Sequence, residues 1–258
     1  MKKKEKISFW TEKKLNILTA VILLFLFVFF VSFAETHSRQ ETCKGIKINI
    51  SHVNSNAFIT ENDVLDIINQ VKDGPMVNRK INAIGYFNAE DAINSNQFVE
   101  NAEVYPDLNG WVYVDLQQRI PVLRVMSNNY KSYYIDRNGK RMPVSYKYTT
   151  KTLVASGFIE NSNPLLGVDR QLYEMALYIN SDVFLSALIG QIYVKKDTEM
   201  LLVPKIGDFI IDFGNASDLE NKFMKLKVFY KKILPFEGWN KYNNVILKYK
   251  NQIIVNKK

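Results

Sequence analysis

The chain has 258 residues, of which 47% are hydrophobic and 23% are charged, and its formal net charge is +8 at pH 7. These proportions are typical of globular proteins and argue against disorder as the main state of the chain. Because Cys43 is the only cysteine, an internal disulfide is excluded and folding must depend on ordinary hydrophobic cores.

A run of twenty uncharged residues, 15–34, follows the first fourteen residues. As a helix this run would be roughly 30 Å long, which matches the hydrocarbon thickness of a bilayer and predicts a transmembrane helix. The leader 1–14 has a net charge of +4 and ends in Lys13 and Lys14, whereas no basic excess follows the run. The positive-inside rule therefore predicts a cytoplasmic tail at 1–14 and a bulk that lies in the periplasm or extracytoplasmic space.

The alternative for the same run is a cleaved signal peptide. Such a peptide has a shorter apolar core and a small-x-small cleavage site, whereas bulky Phe33 stands beside Ala34 here. A retained anchor is therefore the preferred hypothesis, and residues 35–44 then form a periplasmic stalk. Cys43 in that stalk is either the site of an intermolecular disulfide or an incidental residue, and the second hypothesis is preferred.

Residues 45–120 are predicted to form a first domain. Alternating isoleucines from Ile46 to Ile50 indicate a strand, and Thr60-Glu61-Asn62-Asp63 resembles a capping box at the start of a helix. The order β-α-α-β-β predicts a three-stranded sheet with both helices on one face. The predicted elements are a strand at 44–53, a helix from 60 to Gly74, a helix at 88–95, and strands at 99–106 and 111–116 around a turn at 107–110.

Pro121 marks a boundary, and strands dominate the second predicted domain, 121–258. Asn138-Gly139 is the strongest short hairpin signal in the chain. The last predicted element is one long strand at 244–255, with Tyr249 near its middle. The first two predicted helices of this domain lie at 168–179 and 181–188. The other predicted strands lie at 123–126, 133–136, 153–156, 191–194, 200–203 and 209–213.

A third helix of this domain is predicted from a local start signal. Ser217-Asp218-Leu219-Glu220 has the pattern of a full capping box. The helix is expected to continue to Ile233 and to stop at Pro235, because proline removes a helical hydrogen bond. Residues 222–258 contain ten lysines and one glutamate. This basic segment either steers an acidic partner or is a solvated surface. Nucleic acid is not an expected partner, because the topology places these lysines outside the cytoplasm.

The exported part offers few groups for catalysis. Its only histidines, His37 and His52, lie in or near the stalk and lack metal-ligand spacing. It contains neither Gly-x-Ser-x-Gly nor Ser-x-x-Lys, the patterns of common serine acyl-transfer sites. The sequence therefore predicts a protein that is not an enzyme and has no catalytic residue, no metal and no cofactor.

Three stretches carry a resemblance to a known family. The strand at 112–121 ends in Arg119-Ile120-Pro121, the hairpin at 133–140 contains Asp136-Arg137-Asn138-Gly139, and the end of the chain reads Gly238-Trp239-Asn240-Lys241-Tyr242 before the strand at 245–255. In this order behind one anchor, they resemble FtsQ/DivIB, a family of single-pass cell-division proteins. The resemblance implies an α+β fold, with one N-terminal transmembrane helix (15–34), a POTRA domain (45–120), and a mixed antiparallel β domain with flanking helices (121–258).

The resemblance also implies a function. Such a protein is a non-enzymatic divisome scaffold at the division septum of the bacterial cytoplasmic (inner) membrane. It binds FtsB/DivIC-like and FtsL-like single-pass membrane proteins and other divisome components, and it helps to control septal peptidoglycan synthesis. Two alternatives stay open, an anchored periplasmic cell-wall-modifying enzyme and a POTRA-containing factor in outer-membrane protein assembly.

The resemblance places partner binding on the C-terminal strand, which would accept a partner strand at its edge. Tyr249 is either a partner contact or a cross-strand packing residue. The lysine-rich helix 219–233 is a candidate for the basic, partner-facing helix of that family. The expected binding residues along the strand are Val245, Leu247, Tyr249, Asn251 and Ile253.

Overall fold

The computed structural model describes residues 19–30, 41–51, 57–72, 74–127, 132–159 and 167–258. These residues divide into two compact units. The first unit takes its described residues from Met1–Ser51, Thr60–Asn96 and Asn101–Leu116. The second takes them from His52–Ile59, Gln97–Glu100 and Gln117–Lys258.

The predicted anchor is described only in its middle. Helix α1 spans residues 19–30, and its side chains are exposed. Across the described ranges, no helix combines the length and the apolar character needed to cross a membrane. The rest of the predicted span 15–34 lies outside the described residues, as do the leader with Lys13 and Lys14 and most of the predicted stalk.

The first unit has the predicted β-α-α-β-β order. Its strands form a sheet in the order β1-β3-β2, so that β3 is central. Thr60 and Asp63 form the predicted capping box, because the Thr60 hydroxyl accepts the Asp63 N–H (3.3 Å) and the Asp63 carboxylate accepts the Thr60 N–H (3.0 Å). The elements are β1 (Gly45–Ser51), α2 (Glu61–Gln70), α3 (Tyr86–Asn94), β2 (Val99–Pro106) and β3 (Trp111–Gln118), with a 3₁₀ turn at Ile81–Ala83.

Cys43 is part of this folded unit. It is fully buried, its backbone N–H donates to Arg79 O (2.7 Å), and its carbonyl accepts the Asn78 N–H (2.8 Å). Burial also raises the pKa of the Cys43 thiol above its ordinary value, which disfavours the reactive thiolate. The hypothesis of an intermolecular disulfide through a stalk cysteine therefore does not fit the folded chain.

The second unit is built on a nine-stranded mixed sheet with the order β12-β11-β10-β9-β8-β7-β4-β5-β6. Three pairs are parallel, β4 with β7, β7 with β8, and β10 with β11. The strands are β4 (Pro121–Ser127), β5 (Tyr133–Asp136), β6 (Arg141–Pro143), β7 (Leu153–Gly157), β8 (Ile189–Val194), β9 (Met200–Pro204), β10 (Ile210–Gly214), β11 (Tyr242–Ile246) and β12 (Ile254–Lys257).

Helices supply the other half of the main core of this unit. Alternate strand residues such as Leu123, Ile192 and Phe213 are buried against the apolar faces of the helices. This agrees with the predicted mixed sheet and flanking helices. The helices are α4 (Gly167–Ser181), α5 (Val183–Leu188), α6 (Leu219–Val228) and α7 (Leu234–Glu237), with a π turn (Phe229–Ile233) between the last two.

Two predictions about α6 were wrong. Its start has no capping box, because Asp218 adopts a left-handed conformation (φ 53°) without a side-chain cap, and the Ser217 hydroxyl donates to Asn215 Oδ1 instead (2.5 Å). Pro235 does not stop the helical path, because it is the second residue of the new helical turn Leu234–Glu237, and the N–H groups of a first turn have no intrahelical partner. The helical path ends at Gly238, whose φ of 99° favours glycine.

The predicted hairpin at Asn138-Gly139 is confirmed, but its turn depends on Asp136. One oxygen of that carboxylate accepts the backbone N–H groups of Asn138 (3.0 Å) and Lys140 (2.8 Å). Gly139 has a positive φ (76°) and Asn138 does not, so this is not the two-residue turn with two positive φ values. Instead, the Asp136 side chain closes this turn by accepting backbone N–H groups within it.

Arg119 joins this turn to the start of the sheet. Its Nε lies 2.7 Å from Asp136 Oδ2, and its Nη2 donates to the carbonyls of Lys140 (3.1 Å) and Arg141 (2.8 Å). The Asp136 side chain is 1% exposed and the Arg119 side chain 12% exposed. The Arg-x-Pro and Asp-x-x-Gly stretches therefore act as one structural unit.

We expect Asp136→Ala to lower the free energy of unfolding by about 3–5 kcal/mol, because it leaves a largely buried guanidinium and two turn N–H groups without their acceptor. Urea unfolding of the purified chain, followed by tryptophan fluorescence, measures this. Glu174→Ala is the matched control, because its ion pair with Arg170 is exposed and should change stability by only about 0.5 kcal/mol. Equal effects of the two substitutions would contradict the assigned role of Asp136.

Candidate protein-binding edge

The last two strands form a hairpin at one end of the nine-stranded sheet. Strand β11 pairs in parallel with β10 and antiparallel with β12. The prediction of one strand over 244–255 was therefore wrong, since the chain reverses between Ile246 and Ile254. Asn251 lies in this reversal with a left-handed φ of 57°, a conformation that asparagine tolerates better than most residues.

A buried ammonium group holds the reversal. Lys225 Nζ donates to the backbone carbonyls of Leu247 (2.6 Å), Tyr249 (2.5 Å) and Gln252 (3.3 Å). An ammonium group has three N–H donors, and here each one meets a carbonyl of the loop. The loop between β11 and β12 is therefore fixed to helix α6.

Lys222, one turn earlier on the same helix, is held in a similar way. Its Nζ donates to Asn215 O (2.8 Å) and Oδ1 (3.1 Å) and lies 5.0 Å from the centre of the Phe213 ring. Burial is the main cause that lowers the pKa of Lys222 and of Lys225 from the ordinary lysine value. Burial therefore opposes the charged form of both groups, while carbonyl oxygens accept hydrogen bonds from both ammonium groups.

Strand β12 presents backbone groups away from β11. The Lys258 N–H donates inward to Lys241 O (2.9 Å), and N–H directions alternate along a strand. The N–H groups of Val255 and Lys257 therefore point outward. Among the described residues β12 has no second strand neighbour, so its outer side is an open edge that can accept another strand.

The five predicted binding residues differ in burial and in their place in the hairpin. Val245 and Leu247 are fully buried, and Val245 has a strand on each side, opposite Ile211 and Val255. Tyr249 is 45% exposed in the loop. Asn251 is exposed beside it, and Ile253 is half-buried against the core.

Comparison with known families agrees with this architecture. A sequence model described as FtsQ/DivIB, C-terminal related, matches residues 120–256, which is more than half of the chain. The chain belongs to the FtsQ/DivIB family. A POTRA-like domain model matches residues 41–117. No curated protein matches the chain.

Membership assigns the two units their names and a broad role. The first unit is the POTRA-like domain and the second is the FtsQ/DivIB-type β domain. The FtsQ/DivIB family is one of non-enzymatic cell-division proteins, and its domains are those of a division scaffold. Within the described ranges, no group of three or more His, Cys, Asp or Glu side chains is arranged to hold a metal ion.

Sequence reasoning missed the residues that form the edge of this FtsQ/DivIB-type domain. Val255 and Lys257 carry the outward N–H groups, and Lys225 fixes the loop that precedes them. Asn251 between two apolar runs was a usable turn signal. The sequence had no signal for Lys225, because its carbonyl partners lie more than twenty residues away.

The lysine-rich segment is less basic in the fold than in the sequence. Carboxylates from earlier in the chain pair with several of its lysines, and Lys222 and Lys225 are buried. Of the five lysines in 219–233, Lys222 and Lys225 are buried, Lys227 is paired, and Lys231 and Lys232 are exposed, so only part of this segment offers free basic side chains. The pairs are Lys227 with Asp182, Lys248 with Glu199 and Asp212, and Lys258 with Asp208.

We expect Lys225→Met to release the loop between β11 and β12, because three carbonyls lose their donor. The expected loss of stability is about 1–3 kcal/mol, and amide hydrogen exchange at 248–258 should become faster than elsewhere in the β domain. Mass spectrometry of exchanged peptides measures this. Lys232→Met, at an exposed position nearby, is the control and should leave exchange unchanged. Unaltered exchange in Lys225→Met would refute the role of the ammonium group.

Proposed function

We propose that this FtsQ/DivIB-family chain is a divisome scaffold that binds FtsB/DivIC-like and FtsL-like membrane proteins through the outer edge of β12. The open edge, with the outward N–H groups of Val255 and Lys257, is the observation that carries the proposal. Through these partners and other divisome components the chain would help to control septal peptidoglycan synthesis. The family membership supports the role in division, and the edge supports the mode of binding.

Edge addition suits this strand for two physical reasons. The backbone groups of β12 give affinity to any extended segment, whereas side chains on alternate positions select among segments. Lys225 fixes the preceding loop before a partner arrives, so less conformational entropy is lost on binding. The exposed Lys250 and Lys257 side chains favour a partner strand with acidic residues.

The proposed location follows from the uncharged run and its flanks. Residues 15–34 would anchor the chain in the cytoplasmic membrane as a single pass, with Lys13 and Lys14 on the cytoplasmic side. The POTRA-like and β domains would then lie outside the cytoplasm at the division septum. Tagging each end with a reporter that is active in only one compartment would test this orientation.

Lys257→Pro tests edge addition directly. Proline removes an outward N–H without removing a ladder bond to β11, and proline is tolerated on edge strands. We expect pull-down of the FtsB/DivIC-like partner to fall at least about tenfold, because the partner strand loses a hydrogen bond and meets the proline ring. Lys257→Ala is the control, because it removes the same side chain and keeps the N–H.

The two variants separate the backbone contribution from the side-chain contribution. If Lys257→Pro binds as well as Lys257→Ala, the partner does not pair with this edge and the proposal fails. Deletion of 244–258 is a poorer test, because it removes the buried Val245 and Leu247 together with the edge. Circular dichroism of each variant confirms that the fold persists.

Tyr249→Ala tests whether the exposed loop takes part. The ring is 45% exposed, whereas the backbone carbonyl of Tyr249 is what Lys225 holds, so truncation should leave the loop in place. We expect about tenfold weaker partner binding, in the range for an aromatic residue in an interface. Calorimetric titration with the purified partner measures this, and unchanged affinity would assign Tyr249 to packing alone.

A further inference from the structure

A cavity of about 540 Å³ lies in the β domain beside the first residues of β7 and β8. Basic side chains contribute to its wall, and none of its lining residues is acidic. Cavities of about 300–1,000 Å³ are typical of ligand sites in proteins. The basic members of the lining are Arg124, Lys151 and Lys205, and its hydroxyl and amide members are Thr150, Thr152, Asn180 and Ser186.

The three basic groups retain capacity for a ligand. In the described part of the chain, none of them forms an ion pair within 4.0 Å. Arg124 Nε is buried and has no hydrogen-bond partner there. A buried donor without an acceptor costs free energy, and no acceptor of the described residues offsets that cost at Arg124 Nε.

The protein positions these groups through neighbouring elements. Arg124 lies on β4 opposite Val154 of β7, and its guanidinium lies 5.7 Å from the centre of the Tyr134 ring. Lys205 Nζ donates to Ser186 O (2.9 Å), which uses one of its three donors. A side chain at Gly190 would place its Cβ only 3.3 Å from Lys205 Cγ, so glycine leaves room for the lysine stem.

We propose that this cavity binds a short acidic peptide segment of a partner protein, with a carboxylate on its basic residues and an apolar side chain against its apolar residues. Leu153, Val154, Ile179 and Ile189 are the apolar members of the lining. A guanidinium and two ammonium groups without acidic neighbours suit a carboxylate. The apolar lining residues favour a peptide over inorganic phosphate, because phosphate has no apolar part to bury.

The test uses the full-length chain in detergent and a pentapeptide with one leucine between two glutamates, blocked at both ends and carrying an uncharged fluorophore. Fluorescence anisotropy gives its dissociation constant. We expect the peptide with glutamines in place of the glutamates to bind at least about tenfold more weakly, because it cannot form charge-assisted hydrogen bonds. Equal affinity for the two peptides would overturn the proposal.

Variants assign the binding to the cavity. Lys151→Glu, at an exposed position that should not affect folding, is expected to weaken binding about tenfold, and Arg124→Gln at least as much. Lys232→Glu is the matched control, because it changes charge equally outside the cavity. If Lys232→Glu weakens binding as much as Lys151→Glu, the attraction is only general charge and the cavity is not the site.

Two further measurements distinguish the alternatives. Inorganic phosphate should displace the peptide no better than chloride at equal ionic strength, and specific displacement by phosphate would replace the peptide assignment. Lys257→Pro should leave the peptide affinity unchanged, because the cavity and the β12 edge share no residue. Loss of binding in that variant would assign the peptide to the edge and overturn the cavity proposal, whereas failure of the partner pull-down alone would leave it intact.

Discussion

The β domain depends on the buried ion pair of Arg119 and Asp136. Removing a charge from water is costly unless every lone pair and proton finds a partner. Here one carboxylate oxygen accepts from Arg119 and the other accepts two turn N–H groups, while the guanidinium also donates to the carbonyls of Lys140 and Arg141. Arg119, two residues before β4, is thereby tied to the turn between β5 and β6.

Lys225 performs the corresponding task at the opposite end of the sheet. It has no carboxylate partner among the described residues, and its ammonium group is satisfied by three backbone carbonyls instead. A cation thus holds a turn at each end of the sheet, Arg119 together with the Asp136 carboxylate at one end and Lys225 through backbone carbonyls alone at the other. Lys225 thereby orders the loop before β12, while the outer backbone groups of β12 stay available for pairing.

The sequence predicted elements well where short-range patterns decide them. The POTRA-like domain follows from alternation, a capping box and a turn, all within a few residues. The failures fall where distant groups decide. The last strand was predicted to continue through Asn251 because Lys225, which donates to the carbonyls of the loop, is far away in sequence. The capping box predicted at Ser217 does not form because the Ser217 hydroxyl donates to Asn215 instead. Alternation around Val245 correctly indicated a strand, although the strand ends at Ile246, and alternation cannot tell a central strand from an edge.

The same long-range pairing changes the meaning of the charge. Three of the ten lysines in 222–258, Lys227, Lys248 and Lys258, pair with carboxylates of preceding residues, so part of the apparent charge excess is neutralised within the domain. The two proposed binding surfaces differ in the interactions that they offer. The β12 edge offers backbone hydrogen bonds that depend little on salt, whereas the Arg124 cavity offers charges whose attraction at a distance is screened over about 8–10 Å. An edge accepts many extended segments, so the selection among acidic partners must come from side chains, and unpaired cations are the groups best suited to provide it.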